Sequence, residues 1–470
     1  MTRRAIAALA LAASPALGIL PTPPAPATEV SVQSGDRPAA FPAYPASTPR
    51  STHATPGFSP AAAASSNLVV FVHDQSSDQI LRMVDRNADG DAHDPGEVTV
   101  FFDDTDPVTG VDNAQGMVAL DEWTLLATDN FAPDNVVLLQ DLNHDGDALD
   151  AGESSVWFDG LLPSGLTITN PADLVRRTDG SFFLLDNNTL DTTRPEAIYI
   201  LEDLNNDDDV NDPGEVTEFF ELSPIGISSA TTFDVVEDNN ANVYTIDISD
   251  PNQIESIDII DPTGTTRTEW MGSDTLYALR GWVLGSTYEL EFIPERNEVL
   301  FGAYTLSSDQ LILAARDNNG SGDIDLGSEI RPIWNEATHA DAFTTGSPRD
   351  FARTTDGRLL WTDGLYDRVM LQIDLTGDNR YQSAGETTVF FDAATATANG
   401  LPSISLALSV AYAYTCPADV DGNGVLNLDD VNTFAIAFAA GDLIADVDAN
   451  GVLNLDDVNL FALSFTAGCP

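Results

Sequence analysis

The sequence contains no lysine. All 19 basic residues are arginine, set against 75 aspartates and glutamates, for a formal net charge of -56. A surface of that sign repels nucleic acid and anionic membrane and excludes both as partners. Histidine is scarce: His53, His73, His93, His144 and His339 are the full set. None has the spacing of a zinc protease, and no G-x-S-x-G elbow, phosphate loop or dinucleotide fingerprint occurs. Beyond the first residues no apolar run is long enough to span a membrane. Hydrophobic residues still make up 43 % of the chain, so the acidity marks a soluble surface around a packed core rather than disorder.

The N-terminus has the form of an export signal over residues 1–27. Arg3 and Arg4 precede an apolar stretch from Ala5 to Leu20, with small residues at Ala25 to Ala27 suited to cleavage. Residues 28–66, rich in Pro, Ala, Ser and Thr, read as a disordered linker. The protein is therefore expected outside the cell or at its surface. Cysteine is limited to Cys416 and Cys469. In an exported chain they are expected to pair, which stabilises a loop of this length by about 4 kcal/mol.

One motif, D-x-N-x-D-G-D-x-x-D-x-G-E, dominates what is present. It runs from Asp85 to Glu97, Asp141 to Glu153 and Asp203 to Glu215, with worn copies at Asp317 to Glu329 and Asp374 to Glu386. A sixth position, Asp261, keeps only a Pro262-Thr263-Gly264 turn. The six starts are 56 to 62 residues apart, the signature of a repeat architecture. Within one repeat, Asp173–Arg176, Ser181–Asp186, Ala197–Leu201 and Glu215–Phe220 read as four short strands, with the acidic loop between the third and fourth. Six such repeats over residues 67–414 predict an all-β six-bladed β-propeller. The first repeat lacks its innermost strand, and Ile404–Val410 is the candidate to complete it and lock the ring. The Asp-Gly turns and apolar strands resemble six-bladed NHL and gluconolactonase-like propellers, a likeness of architecture that brings no catalytic signature.

Alternating carboxylate and amide oxygens around a tight turn suit a hard cation such as calcium. The expected ligands are Asp85, Asn87, Asp89, Asp91 and Glu97 in the first loop. Their counterparts are Asp141, Asn143, Asp145, Asp147 and Glu153 in the second, and Asp203, Asn205, Asp207, Asp209 and Glu215 in the third. Glu at position thirteen and flanking strands both depart from an EF-hand. The competing reading is a solvated acidic hairpin. It is favoured for the Asp374 loop, where Arg380 enters the ligand sphere.

The last segment carries a tighter pattern. Asp419, Asp421, Asn423, the Val425 carbonyl, Asn427 and Asp430 occupy positions one, three, five, seven, nine and twelve of a calcium loop. Asp446, Asp448, Asn450, Val452, Asn454 and Asp457 repeat it 27 residues later. Each loop runs into a helix, with Val431, Phe434, Ala435 and Phe438, then Val458, Phe461, Ala462 and Phe465, expected on one face. Two such units closed by Cys416 and Cys469 resemble a dockerin of the disulfide-closed type over residues 415–470. That resemblance implies a small α-helical calcium-binding domain and docking to a cohesin-like or cell-surface receptor. Positions ten and eleven, which help select the partner in that family, are Leu428-Asp429 and Leu455-Asp456.

Aligning the repeats places Asp173, Asp234, Glu291 and Asp350 at one inner-strand position, with Gly116 in the second blade and Ser405 in the first. This acidic ring is the catalytic candidate, able to hold a calcium that polarises an ester or lactone. Its competitor is capping of strand-end amides. A second ring, Asp74, Asp129, Asp186, Asp247 and Asp363, ends the second strands and reads as structural. The favoured function is a non-enzymatic recognition or scaffold protein that binds calcium and is anchored through the C-terminal domain. The alternative is a calcium-dependent hydrolase of a lactone, phosphoester or carbohydrate.

Overall fold

In the computed structural model, residues 68–467 are described except 87–88, 104–109, 131–133, 188–195, 224–231, 248–255, 285–289, 306–308, 342, 344, 347, 356, 415–417, 419, 421–425, 442–444, 446 and 448–452. The segments expected to form an export signal and a linker, together with His53, Asn87, Cys416, Cys469 and most C-terminal loop positions, lie outside these residues.

Six antiparallel sheets form, one per repeat. From the inside outward, blade 1 comprises Ala407–Tyr414, Leu68–Asp74, Gln79–Val84 and Val98–Asp103. The innermost strands of blades 2, 3, 4 and 6 are Met117–Ala119, Pro171–Arg176, Thr232–Glu237 and Pro348–Arg353. In blade 5 that position is split between Trp282–Leu284 and Leu290–Ile293, which both pair with Glu298–Thr305. The outermost strands of blades 2 to 6 are Ser154–Phe158, Val216–Ser223, Arg267–Gly272, Ile330–Asn335 and Thr387–Asp392.

The C-terminal strand does complete the N-terminal blade, so the two ends of the propeller are joined by a strand pair. The strand is Ala407–Tyr414, displaced outward in sequence from the expected Ile404–Val410. The displacement has a local cause. Ser405 and Leu406 donate their N–H groups to the Asp74 carboxylate at 3.1 and 2.9 Å, which holds that segment in a turn. Ser405 therefore does not occupy the inner-strand position assigned to it.

The hydrophobic core lies between blades. Six apolar clusters each join two neighbouring blades, for example Leu174, Leu184 and Val210 of blade 3 with Trp157 and Phe158 of blade 2. Sandwiching between neighbours explains why Leu68–Asp74 is buried on both faces and shows no alternation of apolar and polar residues.

Every outermost strand also carries a β-bulge. Its ladder with the third strand skips Phe101, Trp157, Phe219, Trp270, Ile333 and Phe390 in blades 1 to 6, and blade 3 skips Leu222 as well. A bulge leaves the extra residue unpaired and places two consecutive side chains inward. That accounts for adjacent bulky pairs such as Phe101-Phe102 and Phe390-Phe391, all buried.

The C-terminal helices are Leu428–Ala440 and Leu455–Ala467. Each begins where Asp430 or Asp457, in the first turn, accepts the N–H of Asn427 or Asn454 at 2.8 and 2.7 Å. Phe434 and Phe461 stack at 4.2 Å between ring centres, and Phe438, Phe465, Val431 and Val458 pack around them. Ala435 and Ala462 are exposed, contrary to the expected face, and Ala437 is buried instead. Ala437 lies three residues beyond Phe434, on its side of the helix, whereas Ala435 is turned about 100° away. Among the described residues no helix is long and apolar enough to cross a membrane.

Candidate functional site

The inner strands converge on a cavity of about 680 Å³. Asp173, Asp234, Glu291 and Asp350 all line it, so the sequence alignment brought together the residues that the fold brings together. Their oxygens are engaged. Asp173 accepts the N–H of Val235 from blade 4 at 3.0 Å, and Asp234 accepts that of Leu290 from blade 5. Glu291 accepts the N–H of Arg353 from blade 6 at 2.8 Å, and Asp350 that of Val410 from blade 1 at 2.5 Å. Ser409 continues the series from blade 1 by donating its hydroxyl to the Ala114 carbonyl at 2.8 Å. At Gly116 of blade 2 a Cβ would lie 2.3 Å from the Leu174 nitrogen of blade 3, so direct backbone packing replaces an acid there. Carboxylates thus bridge the four boundaries from blade 3 round to blade 1, a hydroxyl bridges blades 1 and 2, and blades 2 and 3 meet by close backbone packing.

Electrostatics fits this capping role. Burial raises Asp173 well above the carboxylate range, helped by the neighbouring Asp234 charge and by a hydrogen bond between the two carboxyls. Asp173 and Asp234 also share the Val235 N–H as a common donor. Burial pushes Glu291 up to about 7, against the pull of the Arg353 and Phe292 N–H groups. Asp350 is raised by burial and by the Asp173 and Glu291 charges. Among the described residues that line the cavity, none is Ser, Cys, His or Lys.

The second acidic ring closes connections within blades. Asp186 accepts the N–H groups of Thr169 and Asn170, Asp129 that of Asp112, and Asp363 those of Gly346, Leu365 and Tyr366. Asp247 instead pairs with Arg267.

In the acidic loops, the Asp at position one and the Glu at position thirteen turn inward. Asp141 accepts the N–H groups of Asp145 and Gly146, and Glu153 those of Leu142, Asn143 and Asp150. Glu97, Glu215, Glu329 and Glu386 brace their loops in the same way, and all five glutamates are buried. Asp317 and Asp374 each hold amides of their own loops, and Asp261 clasps its short turn. Burial opposes ionisation of Asp261, but hydrogen bonds from Thr263, Thr265 and Thr266 hold its carboxyl below the usual range.

The outward residues gather differently. The Asn143 amide nitrogen donates to Asp145 at 3.2 Å and to Asp150 at 2.7 Å; Asn205 does the same to Asp207 at 3.0 Å and Asp212 at 2.7 Å. Two carboxylates thus meet at an amide nitrogen, while the Asn143 and Asn205 amide oxygens accept the N–H groups of Asp145 and Asp207 at 2.8 and 2.9 Å. Among the described residues, no group of three or more His, Cys, Asp or Glu side chains is already drawn into metal-binding reach. In the C-terminal pair, Asp430 and Asp457 are fully buried. One oxygen of Asp457 accepts the Asn454 N–H and the other has no partner among the described residues, which fits a carboxylate that takes a cation.

The histidines have other roles. His144 stacks on Trp123 at 4.7 Å, His93 packs on Phe391 and lies between Asp91 and Asp392, and His73 and His339 are buried. Burial lowers His73 to about 4.

No protein-family model matches this chain, and no curated protein does. Among solved structures it is similar to a chain of a nidogen/laminin complex, at 12 % identity over 74 % of this chain and 98 % of that one, with a TM-score of 0.44. It is also similar to a protein of unknown function from Bacteroides caccae (10 % identity, 74 % and 99 % coverage, TM-score 0.43). The periplasmic gluconolactonase of Pseudomonas aeruginosa follows at 12 % identity, 74 % and 98 % coverage and a TM-score of 0.38. These likenesses are too distant to carry a function. The six blades stand on the sheets themselves.

Proposed function

We propose that this protein is an exported, calcium-binding recognition or scaffold propeller, anchored by docking of its C-terminal helical pair to a cohesin-like or other cell-surface receptor. The observation that carries this reading is the exposed face of that pair. Leu428 is 75 % exposed and Leu455 73 %, while Ile436 and Leu463 are 71 % and 67 % exposed. The two sets are 27 residues apart, so each helix presents the same apolar pair at equivalent positions. Clustered exposed apolar side chains mark a protein interaction surface. Calcium would be held by Asp419, Asp421, Asn423, Val425, Asn427 and Asp430 and by their repeat from Asp446 to Asp457. In the propeller the outward residues of the first three acidic loops would hold it. Its chemistry is to neutralise gathered carboxylates and fix loop shape.

The hydrolase alternative has less support. The channel carboxyls are committed to backbone N–H groups of the next blade, and repetition around the ring suits a structural role better than an asymmetric reaction.

Immobilised surface extract from the source cells tests the proposal. Wild type is expected to bind in calcium and elute in chelator, and a Leu428→Ser/Leu455→Ser double variant to lose retention by at least about tenfold. Equal retention of wild type and variant would overturn it.

A further inference from the structure

The cavity between the inner strands has two unlike ends. In blades 3, 4 and 6 the first described inner-strand residue to line it is the acid, Asp173, Asp234 or Asp350. These carboxyls, each bonded to the next blade, floor one end. The other end is bounded by the turns that follow the inner strands, with Trp123 from blade 2 and Arg353 and Thr355 from blade 6. One more lining residue belongs to no blade. It is Leu426, two residues before the first C-terminal helix.

Blade 1 explains how that residue reaches the cavity. Its inner strand Ala407–Tyr414 pairs antiparallel with Leu68–Asp74, just as the other inner strands pair with their second strands. All inner strands therefore run the same way, and Tyr414 ends on the side of Trp123 and Arg353. The other strands turn back there, whereas the chain after Tyr414 runs on into the helical pair. Ala418 is already buried in the core of that pair. Four residues of chain span at most about 14 Å. The pair is thus tethered beside this end of the cavity whatever its orientation.

Its chemistry suits that position. Leu426 and its repeat Leu453 both pack against the Phe434 and Phe461 core, yet of the two only Leu426 also lines the cavity. The rim offers a cation. Arg176 lines the cavity from blade 3, is exposed, and makes no ion pair among the described residues. Residues 415–470 hold nine aspartates and no basic residue, so the pair stays acidic even with two calcium ions bound. Opposite charge draws the pair to the rim, and one apolar side chain enters the opening.

We propose that the C-terminal helical pair is a lid on the propeller cavity, with Leu426 as its stopper. A solute reaches the carboxyl floor when the pair lifts and is excluded when it is seated. The lid concerns the inner side of the pair and does not depend on a receptor binding the outer side.

Methionine oxidation in the full chain tests this. Met117 lines the cavity, whereas Met83, Met271 and Met370 are buried in the cores between blades. The bulky oxidant tert-butyl hydroperoxide is expected to convert Met117 to its sulfoxide slowly in wild type, as read by peptide mass spectrometry. Leu426→Ser is expected to speed this at least about fivefold, and Leu426→Ile to leave it unchanged. Arg176→Glu, at an exposed propeller side chain outside the helical pair, should also speed it. Amide protection of Leu428–Ala440 shows in each variant that the pair is still folded. Faster oxidation of Met117 alone in Arg176→Glu, with that helix protected, upholds the lid. A Met117 rate equal to wild type in both Leu426→Ser and Arg176→Glu overturns it. So does a rise matched at Met83, Met271 and Met370, which would report opening of the blades and not of the mouth.

Discussion

The blade loops and the C-terminal loops share a grammar of alternating Asp and Asn, yet the two regions satisfy their carboxylates differently. In the propeller the last acid of every loop is buried, and first and last acids accept several backbone N–H groups each, as Glu153 does from Leu142, Asn143 and Asp150. A loop braced in this way has its shape before any cation arrives. In the helical pair, Asp457 is buried with one oxygen that has no partner among the described residues. A buried carboxylate oxygen without a donor is costly, so under the proposed calcium reading this region is the one whose stability depends on a cation. The same residue pattern is thus braced by its own backbone in one place and holds a carboxylate oxygen without a donor among the described residues in the other.

The largest effect that would break this comparison is metal removal. Excess chelator is expected to unfold the helices Leu428–Ala440 and Leu455–Ala467 while the blade strands keep their amide protection. Equal loss in both regions would erase the distinction. Next, Phe434→Ala is expected to destabilise the helical pair by about 3–5 kcal/mol, through loss of the stack on Phe461, and to leave the propeller melt unmoved. Glu153→Ala should cost the propeller about 3 kcal/mol with or without calcium, because it strands three backbone donors. A variant that is harmless without calcium would make Glu153 a metal ligand and not a brace.

The channel adds a smaller effect, and its sign follows from Glu291. Its carboxyl is raised from 4.5 to about 7 in the folded chain. Its contribution is fully present below pH 4.5 and is lost as pH rises through about 7. Glu291→Gln should flatten the fall in propeller stability over that window by about 2 kcal/mol, read from denaturant melts at pH 4.5 and pH 8. His73 acts in the opposite direction. Being lowered from 6.5 to about 4, it contributes stability above pH 6.5 that is lost as pH falls through about 4. Smallest of all, Leu428→Ser should alter stability by less than about 0.5 kcal/mol, since that side chain is exposed.

Much of this was legible in the sequence. The motif spacing gives six blades, the strand pattern gives their four-strand form, and the alignment finds the channel acids at Asp173, Asp234, Glu291 and Asp350. What escaped depends on contacts between repeats. The closing strand begins at Ala407 because Asp74, more than 330 residues away in sequence, holds Ser405 and Leu406. Ala435 is misplaced because alanine fits either face of a helix. The bulges had a signal, the consecutive bulky residues of each fourth strand. Leu428 and Leu455 were flagged by loop position, whereas Ile436 and Leu463 join them only on the folded helices.

The central claim is that acids in the channel tie blades together while acids in the loops take calcium. A crystal structure grown in calcium, with anomalous maps, tests it most directly. The account predicts calcium in both C-terminal loops and in the outward sites of blades 1 to 3, with none beside Asp173, Asp234, Glu291 or Asp350. A calcium ion among those four channel acids, with the blade loops bare, would contradict it.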